Sequence, residues 1–342
     1  RLAMDAQMTA KDRWLHRYAV FTACATLFLI LAGGMVTSTG SGLAVPDWPL
    51  SYGMVFPPMV GGIFYEHGHR MVATFVGFLT TVMAFWLWHQ EARRWVRNLG
   101  FIALLAVIVQ GLLGGLTVIF LLPTAISVTH ACLAQTFFCL TVGLAVFTSA
   151  SWRSGSVTPV EGGAGLRKLA VGTTCVIYVQ LILGALMRHT ESGLAIPDFP
   201  LSFGALFPSL SELTVNPNAP YPISLAEFQK RVMIHFAHRA WAGLVLGMIV
   251  WTAVWVVRRF RNRRELVVPA VLMLGLVMVQ VTLGAYVVWT EKNVGITTTH
   301  VVVGASILAT GVILTLRSWR LAGVSEEPAK QVVPRVSGEP AL

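Results

Sequence analysis

Gly42-Leu43-Ala44-Val45-Pro46-Asp47-Trp48-Pro49-Leu50-Ser51-Tyr52-Gly53 is written twice in this chain, returning as Gly193-Leu194-Ala195-Ile196-Pro197-Asp198-Phe199-Pro200-Leu201-Ser202-Phe203-Gly204. The copies differ at Val45/Ile196, Trp48/Phe199 and Tyr52/Phe203, and Phe56-Pro57 and Phe207-Pro208 extend the match. Self-similarity of this kind sets the architecture and is read first. The register continues: His69-Arg70 pairs with His238-Arg239, Gln110 with Gln280, Gly114 with Gly284 and His130 with His300. Two tandem units follow, residues 1–155 and 156–320, with a tail at 321–342 whose scattered Pro and Glu predict a disordered cytoplasmic end. Ser154–Gly165 reads as a Gly/Pro/Ser linker, and Ser209–Lys230, rich in Pro, Asn and Ser, as an insertion in the second unit.

Composition decides the setting of this repeat. Of 342 residues 55% are hydrophobic and 12% charged, and the mean hydropathy is +0.70. A soluble domain carries about a quarter charged residues, so the chain is read as an integral membrane protein. Eight apolar segments, near 15–37, 69–88, 98–120, 124–148, 168–187, 235–257, 267–289 and 296–317, are long enough to cross a hydrocarbon layer of about 30 Å. Four spans per unit is an even number. Both copies therefore enter from the same side, and the fold class is all-α: eight transmembrane helices as two tandem, parallel-repeat four-helix bundles.

A net charge of +10 raises the question of nucleic acid, and its distribution answers it. Lys11, Arg13 and Arg17 gather at the N-terminus, and Arg93, Arg94, Arg97, then Arg153, Arg167, Lys168, then Arg258 to Arg264 cluster at alternate loops. This is the positive-inside pattern, with both termini cytoplasmic and no role for nucleic acid. The first apolar run is too long for a signal-peptide core, so no cleaved signal is expected. Cys24, Cys132, Cys139 and Cys175 all fall within spans and read as small packing residues, with no disulfide expected.

Each duplicated loop places two prolines around Asp-Trp or Asp-Phe, a tight and shaped lid. Its aromatic residue suits either a membrane-interface anchor or a cover for a flat ligand. Below the loops stand Glu66-His67-Gly68-His69-Arg70 and His235-Phe236-Ala237-His238-Arg239. Ionisable groups at the mouth of a span are costly and default to a functional reading. The repeat sorts the nine histidines: His69, His130, His238 and His300 occupy equivalent places near the outer end of each even-numbered span. His67 aligns with Phe236 and is not expected to be a ligand, whereas His235 aligns with Glu66. Zinc prefers four ligands, which neither unit supplies. One imidazole from each of two facing helices suits the two axial positions of a haem, with Arg70 and Arg239 placed to hold propionates. Gly33-Gly34, Gly111, Gly114-Gly115, Gly184 and Gly284 suit close approach to a flat cofactor or ordinary small-residue helix packing.

At these residues the chain resembles the heme A synthase family, CtaA/Cox15, over nearly its whole length. The motifs that carry the resemblance are Glu66-x-x-His69-Arg70, the second His238-Arg239, and the Ser-Gly-Leu-Ala-x-Pro-Asp loops, which look like the mitochondrial and proteobacterial-like branch. Another branch has a cysteine pair in the first outer loop, which this chain lacks. The resemblance implies oxidation of the C8 methyl of haem O to a formyl group, giving haem A for cytochrome oxidase assembly. It implies haem O as substrate in one unit and haem b as cofactor in the other. Only the first unit has a carboxylate beside its histidine, so haem O is expected between His69 and His130 and haem b between His238 and His300. Glu66 is the expected catalytic carboxylate, as proton acceptor or stabiliser of a cationic intermediate, or else a partner of Arg70 or a helix cap. Candidate partners are a haem O synthase, a membrane electron acceptor, the lipid bilayer and a second copy of the chain. The competing classes are a bis-histidine cytochrome b-type electron carrier and a haem transporter or chaperone.

Overall fold

A computed structural model describes residues 9–153, 162–215 and 223–322. Its helices are α1 (Ala10–Ser38), α2 (Gly61–Gln90), α3 (Arg94–Ile119), α4 (Thr124–Thr148), the short α5 (Ala150–Arg153), α6 (Gly163–His189), α7 (Leu225–Arg259), α8 (Arg264–Trp289) and α9 (Val294–Ala322). Eight of them, all but α5, are long and apolar enough to cross a membrane. The chain is an all-α, eight-span membrane protein.

The helices run past the apolar stretches that announce them. α2 begins at Gly61, so Glu66 to Arg70 lie inside a helix and not at its mouth. Glu66 and Arg70 are four residues apart and pair at 2.6 Å, which lets the helix carry both charges. α7 begins at Leu225, where the Ser224 hydroxyl accepts from the Glu227 N–H, so the end of the expected insertion is the first turns of a 35-residue helix. Of that insertion 216–222 lies outside the described residues, as do 154–161 of the expected linker and 323–342 of the tail. Gly163 already belongs to α6.

α1 packs on α2 and α4, and α3 on the same two helices, around Leu15, Val76, Met83, Leu87, Val96, Phe137 and Leu144. α6 packs on α7 and α9, and α8 on the same two, around Leu166, Ile177, Ile249, Met273, Leu308 and Leu314. Between the sets, α1, α4 and α9 meet at Ala23, Ile30, Phe138, Val142, Ala305 and Ala309. Small residues suit a bilayer interface, where lipid tails are as apolar as leucine and close van der Waals contact must do the binding. At the end carrying the N-terminus, Arg153 joins Asp12 (2.5 Å) and Glu91 (2.8 Å), and Glu91 also binds Arg93. Cys132 and Cys139 are half-buried, but Cys24 and Cys175 are exposed on their helices, so packing does not account for the latter two.

Candidate functional site

Both duplicated loops fold alike. Tyr52-Gly53 and Phe203-Gly204 take positive φ (54°, 69° and 57°, 78°) between the bridged pairs Ser51–Met54 and Ser202–Ala205. Two successive positive φ values make a tight turn that favours glycine at its second place. The left-handed Tyr52 is held by Asp47, whose carboxylate accepts from the N–H groups of Tyr52 (2.6 Å) and Gly53 (2.8 Å). Asp198 does the same for Phe203 (2.7 Å) and Gly204 (2.8 Å). The N–H groups of Gly53 and Tyr52 hold the Asp47 carboxyl below its ordinary value. Trp48-Pro49 and Phe199-Pro200 are both cis.

The Trp48 ring lies on α3 at Gly115, where an added Cβ would stand 2.6 Å from Trp48 Cδ2. The equivalent pair in the second copy is Phe199 and Ala285, a smaller ring with a larger partner. Gly115→Ala should therefore cost about 1–3 kcal/mol by overpacking, and adding Trp48→Phe should restore the loss. Thermal unfolding in detergent checks this, and equal stability of the single and double variants would sink it.

Arg70 and Arg239 reach up from α2 and α7 into these loops. Arg70 Nη1 donates to the carbonyls of Asp47 and Leu50 (both 2.8 Å), and Nη2 to Glu66 Oε1 (2.6 Å) and Val45 O (3.4 Å). Arg239 Nη1 donates to Asp198 O (2.7 Å) and Leu201 O (3.0 Å), and Nη2 to Ile196 O (3.2 Å). The two arginines expected to face propionates are thus engaged by loop carbonyls. Glu66 is 4% exposed and completes its latch, Oε2 accepting from the Val45 N–H at 2.8 Å. His235 takes the same place, with Nδ1 against the Ile196 N–H (3.2 Å) and Nε2 against Arg239 Nε (3.0 Å). A carboxylate accepts both bonds, whereas a neutral imidazole has one acceptor nitrogen. The first latch is therefore the better matched. His67 fastens the first loop from below, its Nδ1 2.8 Å from Ser51 Oγ.

The four repeated histidines share one construction. Each ring lies against a glycine of the preceding long helix, at distances that a Cβ there would make tight: Gly33 to His69 Cε1 3.1 Å, Gly114 to His130 3.2 Å, Gly184 to His238 3.1 Å and Gly284 to His300 3.3 Å. The glycines make room for imidazoles, a more specific role than general helix approach. All four histidines are half-buried. Gln110 Nε2 stands 3.3 Å from His130 Nε2, Gln180 Nε2 3.2 Å from both ring nitrogens of His238, and Gln280 Nε2 3.2 Å from His300 Nε2. Sequence reading paired Gln110 with Gln280 but missed Gln180, whose signal was its position four residues before Gly184. Buried Nδ1 atoms of His69, His130 and His300 have no hydrogen-bond partner.

Among the described residues no group of three or more His, Cys, Asp or Glu could hold a metal ion. One imidazole from each of two helices, each cleared by a glycine, fits an iron that brings its own planar ligand and takes two axial donors.

Known proteins match this chain over most of its length. The COX15-CtaA family profile, described as cytochrome oxidase assembly protein, matches residues 60–312. A "Heme A synthase" of Alkalihalophilus pseudofirmus is 31% identical over 84% of this chain and 92% of its own length. One of Halalkalibacterium halodurans is 30% identical over 87% of this chain and 94% of its own. One of Bacillus licheniformis is 28% identical over 84% and 91%.

Proposed function

The chain belongs to the COX15-CtaA family of cytochrome oxidase assembly proteins, and from that premise we propose that it works as two tandem, parallel four-helix halves with a haem site in each. It is a membrane oxidoreductase acting on a methyl group, a heme A synthase that oxidises the C8 methyl of haem O to a formyl. Residues 1–155 take haem O between His69 and His130, and residues 156–320 hold haem b between His238 and His300. The observation that carries this reading is the matched set of four histidines against four glycines, one imidazole on each of α2, α4, α7 and α9. A bound haem b would supply one-electron redox chemistry; taking the methyl to the formyl with a water oxygen releases four electrons, which a membrane electron acceptor would take, and four protons.

Beside His69 the halves differ in kind, with Glu66 at the place of His235 and Leu29 at the place of Gln180. That supports the first half as the reacting one. Glu66 lies one turn before His69 on the same helix and is the group offered as proton acceptor, with Arg70 and the Val45 N–H holding its carboxylate in place. Arg70 and Arg239 shape the rim on which propionates rest, although their guanidinium groups already hold the loops. The alternate basic loops support cytoplasmic termini and haem sites toward the extracytoplasmic side of the inner membrane. The cysteine-free first loop supports the mitochondrial and proteobacterial-like branch, although the relatives above include Bacillus licheniformis. A haem O synthase and a second copy of the chain are the protein partners to test.

Co-expression with a haem O synthase should yield haem A, whereas a simple electron carrier or haem chaperone would return only the haems supplied. Glu66→Gln keeps an acceptor for the latch but loses the base, and should lower haem A yield at least about a hundredfold while the protein still folds and binds haem. Normal yield would sink the catalytic role.

A further inference from the structure

The four histidines are not held alike. Gln110, Gln180 and Gln280 sit one turn before the glycines that touch His130, His238 and His300. The position one turn before Gly33, which touches His69, is Leu29. We propose that the three glutamines are positioning residues that keep their imidazoles on the iron, and that Leu29 leaves His69 as the one axial ligand able to turn away. This rests on the bis-histidine haem reading above and deepens it.

The amide nitrogen of Gln110 reaches both the ring (3.3 Å) and the main-chain carbonyl (3.0 Å) of His130, and that of Gln180 does the same for His238 (3.2 Å and 3.1 Å). One side chain thus ties ring and backbone together. The other end of each amide, Oε1 of Gln110, Gln180 and Gln280, is buried without a partner, and so is Nδ1 of His130 and His300. An imidazole that gives one ring nitrogen to iron keeps an N–H on the other as its remaining donor, and the amide that stands beside Nε2 of His130 and His300 carries an oxygen with no other partner. A hydrogen bond between the two fixes the ring and raises its basicity toward the metal.

His69 has the glycine but not the amide. Its Nδ1 is buried and unpartnered, and its ring makes no hydrogen bond among the described residues. Leu29 can neither donate nor accept. The charged neighbours do not substitute: Glu66 is taken by the Val45 N–H and Arg70, and Arg70 by the loop carbonyls. The loosely held imidazole is therefore in the half that also carries the unmatched carboxylate.

Carbon monoxide binds ferrous haem only where an axial ligand has left, so it reads ligand lability without turnover. Full-length protein in detergent, loaded with haem b in both halves and reduced, should bind CO at one haem. Leu29→Gln should lower that occupancy by about tenfold, and Gln180→Leu, which copies residue 29 into the other half, should open a second CO site by a similar factor. The swap is reciprocal, so misfolding of one variant leaves the other decisive. CO binding indifferent to residues 29 and 180, or no CO binding by the wild type, overturns the proposal while haem uptake with low-spin spectra keeps the bis-histidine reading. Failure to take up haem overturns both.

Discussion

Protein carrying His238→Ala and His300→Ala should lose haem b from its C-terminal half altogether and make no haem A. Each histidine offers its ring beside a glycine, and nothing else among the described residues supplies iron donors in numbers that could compensate. Gln180 and Gln280 would remain, but amides that orient an imidazole do not replace it. The alanine side chain leaves space and removes a polar group, so the helices should still assemble. Haem content by pyridine haemochrome is the measurement, and His69→Ala/His130→Ala is its counterpart. That second protein should keep haem b and still make no haem A. A His238/His300 double variant with its full complement of haem b would refute the assignment of the halves.

The second large effect concerns the loop latches. Arg70→Met should destabilise the protein by about 3–5 kcal/mol, the cost of leaving a buried carboxylate without its cation. Glu66, 4% exposed, would keep only the Val45 N–H, and the carbonyls of Asp47 and Leu50 would lose their donor. Arg239→Met strands a similar pair of carbonyls, but His235 can stay neutral and lose one hydrogen bond. It should cost less, about 1–3 kcal/mol. Apparent melting temperatures in detergent order the two, and Glu66→Gln added to Arg70→Met should recover part of the loss. Equal losses for the two arginines would mean that charge burial at Glu66 is not what the latch relieves.

The eight spans and the four repeated histidines were legible in the sequence because both depend on local or repeated features. A bilayer demands long apolar helices whatever their neighbours are. A duplicated register marks His69, His130, His238 and His300 without any knowledge of their contacts. Helix ends were less legible, since the polar first turns of α2 and α7 are stabilised by pairs such as Glu66–Arg70 that hydropathy does not weigh. The exposure of Cys24 and Cys175 was hidden for a related reason: in an apolar span, composition does not distinguish the lipid face from the core.

By itself the sequence determined the membrane class, the duplication, the four imidazoles and the odd carboxylate at Glu66, because each is a matter of residue type, spacing and register. Only the tertiary structure decided what those residues touch. Arg70 and Arg239 resemble free cations until the loops fold back and present their carbonyls. The glycines looked like general packing residues until each was set against one imidazole ring. Leu29 carried no signal until Gly33, one turn along α1, was seen against His69. A hydrogen bond or a ring contact depends on atoms brought together from distant positions, and the sequence pattern that encodes it becomes readable once the helices are packed.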